Sequence, residues 1–89
     1  MQNKVTEIQI IPVKPKDGLV GFASFVFDRS FYCASIGIYT RPQGGFRLTY
    51  PTRKTLNGAM PIFHPINKDV ANLIEQAIIR QFERLHDNE

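Results

Sequence analysis

Six cations, Arg29, Arg41, Arg47, Arg53, Lys54 and Lys68, stand between Asp28 and Asp69 with no carboxylate among them. From Asp69 onward the balance reverses, with Asp69, Glu75, Glu83, Asp87 and Glu89 against Arg80 and Arg84. The formal net charge is only +3, so the separation matters more than the sum. A basic middle beside an acidic-leaning end gives a field with direction, which draws a polyanion to one side. The same cations also suit plain solvated loop and edge positions, and charge alone leaves both readings open.

No other group of residues carries chemistry as far. Cys33 is the only cysteine, which rules out an intramolecular disulfide and any multi-cysteine zinc site. It sits in an apolar, alternating stretch and reads as a small buried hydrophobe. A catalytic thiol would need a histidine and an electropositive setting, and nothing in the sequence puts them there. His64 has only His86 for company and no serine–aspartate pattern beside it, so no triad is supported. With Pro65 after it, His64 reads as an extended approach to a helix, because proline disfavours α geometry in the preceding residue. Gly44-Gly45 lacks the strand–loop–helix context of a phosphate cradle and, after Pro42, reads as a turn. Among the aromatics, Tyr39 and Tyr50 fall near strand ends beside Arg41 and Arg53 and are the two candidates for stacking on bases. The sequence predicts no catalytic site, no metal site, no cofactor and no small-molecule substrate.

The chain that positions these groups has 89 residues, enough for one domain spanning 1–89. Forty-three per cent apolar residues, with seven Phe and three Tyr, is a folding composition. No apolar run approaches the roughly 18 residues of a membrane helix, and MQNKVTEIQ lacks a signal-peptide core, so a cytoplasmic protein is expected. Strands are predicted at about 4–13, 19–28, 31–40 and 45–51. In the first, Thr6, Ile8 and Ile10 share one face, and Pro12 and Pro15 end the strand because proline cannot donate to a ladder. Lys16-Asp17-Gly18, Asp28-Arg29-Ser30 and Arg41-Pro42-Gln43-Gly44-Gly45 supply the connections. The stretch 51–66 is predicted as a loop, broken by Pro51, Asn57-Gly58, Pro61 and Pro65, with a short extended piece from Met60 to Phe63. It is long for a structureless loop, and such loops are usually functional or hold an unrecognised element. A helix is predicted at about 68–86, because Val70, Leu73, Ile74, Ala77, Ile78, Phe82 and Leu85 recur at helical spacing. Asn67 is its N-cap, and Asp69 suits the first turn.

The fold class is therefore α+β, a four- to five-stranded antiparallel sheet with one C-terminal helix packed on it. One helix covers one face of such a sheet. The central strand is apolar on both, with Leu19, Ala23, Phe25 and Phe27 on one side and Val20, Phe22 and Val26 on the other. Side chains of this kind cost roughly 1.5–3 kcal/mol each to leave in water, so a second apolar face predicts a homodimer. The competing reading is that residues 51–65 fold back over that face.

Pro51-Thr52-Arg53-Lys54-Thr55, one intervening residue, Asn57-Gly58, then His64-Pro65-Ile66-Asn67 and the helix together resemble the SpoVG family. That family has a Pro-Ser-Lys-Arg-Thr-x-Asp-Gly segment, then His-Pro-Ile-Asn, then a helix ending near an aromatic and Arg-Leu, here Phe82-Glu83-Arg84-Leu85. Val5-Thr6-Glu7-Ile8 resembles its opening strand, and Ala23-Ser24 followed by Asp28 its second. The resemblance spans about residues 4–85. Departures are the swapped order of the basic pair, Leu56 where the family has proline, more aromatic middle strands and a nearly absent acidic tail.

The resemblance implies a dimeric regulator that binds DNA or RNA and is tied to sporulation and septation. It carries the family's Lys-Arg pair onto Arg53 and Lys54. Arginine offers a planar fork and lysine a point charge to phosphate oxygens, while the hydroxyls of Thr52 and Thr55 can add contacts. Arg47, on the polar face of the strand leading into the pair, and Arg41 complete the expected phosphate-binding set. The alternative function is a protein–protein interaction module that binds no nucleic acid itself. No membrane partner is expected.

Overall fold

The computed structural model describes residues 4–87, and side chains from 4 to 85. Strands β1 (Val5–Lys16), β2 (Leu19–Phe27), β3 (Phe31–Thr40) and β4 (Phe46–Thr49) form an antiparallel meander in that order. A separate two-stranded ribbon follows, β5 (Thr52–Thr55) with β6 (Gly58–Pro61), and then the helix α1 (Lys68–Asp87).

Two short hairpin turns set the meander. Asp17 and Gly18 take φ of 54° and 91°, and Asp28 and Arg29 take 52° and 58°. Left-handed geometry at both central residues matches the right-handed twist of the flanking strands. The β2–β3 turn is closed by Ser30 N–H donating to the Phe27 carbonyl at 3.0 Å.

The central strand β2 meets an extra residue on each side. Glu7 and Ile8 together face Phe25, and Ala34 and Ser35 together face Ser24. Glu7 (φ 53°) and Ser35 (φ 63°) take up the surplus in left-handed geometry. The bulge at Glu7 re-phases β1. Val5, Ile8 and Ile10 turn to the core, while Thr6, Gln9 and Ile11 belong to the opposite face. The expected grouping of Thr6 with Ile8 and Ile10 is corrected accordingly. A register shift near Leu19 likewise turns Val20 to the core, against simple alternation. β1 runs on through Pro12 and Pro15 to Lys16. It is an edge strand, where missing N–H groups are tolerated.

The core consists of Val5, Ala23, Phe25, Ile36 and Ile38 from the sheet with Ile74, Ile78 and Phe82 from the helix. Phe82 meets Phe46 edge-on at 5.0 Å. It also lies over Gly21, where an added Cβ would sit 3.4 Å from its ring and 3.2 Å from the Ile11 carbonyl. Leu73 and Leu85, expected in the buried stripe, remain exposed at its margins. Asn67 Oδ1 accepts from the N–H groups of Asp69 at 2.8 Å and Val70 at 3.1 Å, so the expected cap forms.

The α+β class holds, and the sheet has four strands, within the four to five expected. No fifth strand joins it; instead the stretch read as a loop folds into its own ribbon. Pro51 offers no N–H to continue the ladder, and its carbonyl accepts from Ile62 N–H at 3.0 Å, closing the ribbon's base. Among the described residues no helix is long and apolar enough to cross a membrane.

Candidate nucleic-acid interface

The β5–β6 ribbon is an arm. Every residue from 52 to 62 is exposed, Arg53 and Lys54 included. The registers Arg53↔Met60 and Lys54↔Ala59 put the two cations on successive residues of one strand, hence on opposite faces. Around the tip, Gly58 takes φ +118° and the Thr55 hydroxyl donates to its carbonyl at 2.7 Å. A hydroxyl has one proton to give, so that bond stands in place of a phosphate contact from Thr55. Thr52 makes no such bond among the described residues and is exposed.

Arg41 and Arg47 lie on the body. Arg41 Nε donates to the Phe46 carbonyl at 3.0 Å, and its guanidinium pairs with Glu75 of α1 at 3.5 Å. Arg47 projects from the face away from the helix, its guanidinium 4.8 Å from the centre of the Tyr39 ring. The six expected residues thus divide among an arm, a helix contact and a sheet face. Tyr39 is covered by that guanidinium. Tyr50 is half-buried and meets Phe63 edge-on at 6.1 Å, at the root of the arm. Burial first, and the Glu75 carboxylate second, push its hydroxyl up to about 12.

The sheet face opposite the helix is open. Ile11 is 65% exposed and Tyr32 74%, and with Phe22, Gln9, Ser24 and Ala34 they line a shallow depression of about 430 Å³. The arm does not cover it, since all of its own residues are exposed.

Sequence reasoning missed a second hollow, between the sheet and the start of the helix. Phe25, Phe27, Phe31, Tyr50, Phe63 and Val70 line most of its roughly 380 Å³. Cys33 lies in its wall, half-buried, and burial raises its thiol pKa, which keeps it protonated. His64 stands at this hollow too, with Nδ1 3.3 Å from the Pro65 carbonyl. Among the described residues no three His, Cys, Asp or Glu side chains gather where a metal could bind. The clue available beforehand was the density of phenylalanine in β2, β3 and the segment before the helix.

Residues 3–84 match the family model SpoVG. The chain belongs to the SpoVG family. Its relatives go by the name septation protein SpoVG. One from Caldanaerobacter subterraneus is 29% identical over 96% of this chain and 93% of its own length. One from Onion yellows phytoplasma is 35% identical over 96% and 86%, and one from Phytoplasma australiense 33% over 96% and 88%. SpoVG membership takes in the whole meander, the arm and nearly all of the helix.

Proposed function

We propose that this SpoVG-family chain is a non-enzymatic, nucleic-acid-binding regulator that works in the cytoplasm as a homodimer. The septation named for its relatives is the process it would serve. The observation that carries this reading is the arm. It holds Arg53 and Lys54 exposed, within a stretch free of carboxylates from Arg29 to Lys68. Exposed, unpaired cations release counterions when they meet phosphates, so binding weakens steeply with salt. Arg47 and Thr52 add contacts where the nucleic acid extends over β4. Arg41, held by Glu75, acts mainly within the protein.

The dimer is supported by the open sheet face. Ile11, Phe22 and Tyr32 gain from burial, and a second copy supplies the same surface. Arg53→Ala/Lys54→Ala is expected to weaken binding of DNA or RNA in a low-salt gel shift and leave the dimer intact by light scattering. Unchanged affinity would sink the phosphate assignment, and a stable species near 10.2 kDa would sink the dimer. A face that captures another protein, with no salt-dependent nucleic-acid binding, would favour the interaction-module alternative.

A further inference from the structure

The arm's two cations look in opposite directions, and this limits what they can grip together. Arg53 shares its face of the ribbon with Thr55, and Lys54 shares the other with Thr52. A flat row of phosphates would meet one of them. A cleft with phosphates on both walls would meet both.

Dimensions decide which cleft. A strand layer with its side chains is about 10 Å thick, the spacing at which sheets stack. The major groove of B-form DNA is about 12 Å wide and about 8.5 Å deep, while the minor groove is only about 6 Å wide. Four residues at about 3.4 Å each carry the tip roughly 14 Å from the arm's base, beyond the depth of the groove. The major groove of A-form RNA is too narrow for side chains to read. The tip also presents what a groove floor would contact. Leu56 has a relative exposure of 106%, which no contact within the protein explains, and Asn57 is exposed beside it. The Thr55–Gly58 hydrogen bond braces the turn that holds both.

We propose that the β5–β6 arm enters the major groove of duplex DNA tip first. Arg53 and Lys54 take phosphates on opposite walls, and Leu56 and Asn57 meet the base edges. This rests on the nucleic-acid reading above and adds a source of sequence preference. Leucine suits the thymine methyl group, and an asparagine amide pairs with N6 and N7 of adenine. The arm therefore favours A·T pairs.

The test is an anisotropy titration across a salt series with three duplexes: alternating dA-dT, the same with dU for dT, and alternating dG-dC. Removing the thymine methyl is expected to weaken wild-type binding about fourfold, the value of one buried methylene-sized group. Leu56→Ala should bind the dT and dU duplexes equally, and Asn57→Ala should lose roughly tenfold of the preference over dG-dC. Both positions are exposed, and both variants should keep the wild-type salt slope. Equal wild-type affinity for the dT and dU duplexes, with the steep salt dependence intact, would overturn insertion into the groove and leave nucleic-acid binding standing. Tighter binding to single-stranded oligo(dT), which cannot pair with itself, than to the dA-dT duplex would do the same. Failure to bind any of them at low salt would overturn the nucleic-acid reading itself.

Discussion

The body and the arm are built on opposite terms. In the body, Phe25, Ile36, Ile38, Ile78 and Phe82 are removed from water almost completely, and each is held by several others. In the arm nothing is buried, and a short ladder, one closing bond at Pro51 and the Thr55–Gly58 bond hold its shape. A two-stranded ribbon of this kind is marginal in water on its own. Stability is thus concentrated in the body, and the exposed cations of the arm are placed where they contribute little to it. The division lets the arm's residues change with small effects on the fold.

That contrast can be broken or sharpened by experiment. The largest effect is expected from Phe82→Ala, which empties the site between Phe46 and Gly21 and should cost about 3–5 kcal/mol in denaturant unfolding. A loss under about 1 kcal/mol would show that the helix is not what closes the core. Next comes a pH effect at the root of the arm. Tyr50 titrates near 10 when unfolded and is raised to about 12 when folded. The folded state therefore holds its proton longer. Its contribution is complete below pH 10 and is lost as pH rises from about 10 to about 12. Thermal melts should fall across that window, and Tyr50→Phe should remove that part of the fall. Asn67→Ala removes the cap of α1 and should cost about 1 kcal/mol. Smallest of all, Arg53→Ala/Lys54→Ala should shift stability by no more than about 0.5 kcal/mol. The same change should reduce the salt slope of binding by about two, near 0.9 for each phosphate that the protein ceases to neutralise. A large stability loss from this pair would mean that the arm is part of the fold.

Most of the body was legible in the residue pattern, and the arm was not. Ile74, Ile78 and Phe82 declare a helix by their spacing, and Asn67 declares its start. Strands β2, β3 and β4 follow from alternation and turn residues. Thr52-Arg53-Lys54-Thr55 has no apolar alternation, because neither of its faces packs on anything. Periodicity reports burial, so a strand exposed on both faces gives no signal. Asn57-Gly58 pointed to a turn there and 60–63 to a short extended piece, but the pairing of β5 with β6 had to be seen. The same limit explains Thr6 and Val20, whose faces were misjudged because a bulge resets the count without marking the sequence. For the site, the basic pair and its acid-free surroundings were visible at once. The ion pair of Arg41 with Glu75 and the splitting of Arg53 and Lys54 between two faces depend on tertiary contacts and pairing.

The two bulges beside β2 also mark where the chain can change length. Without Glu7, Ile8 would stand alone opposite Phe25, and Val5, Thr6 and Ile8 would alternate regularly with the same sides inward. Without Ser35, Ala34 would face Ser24, and Cys33 and Ile36 would keep their partners. In the regularly paired stretches of these strands a one-residue deletion would turn the residues beyond it to the opposite face. At Glu7 and Ser35 the fold carries a spare residue in each of the two strands that flank β2, so gaps among its relatives should collect at those two positions.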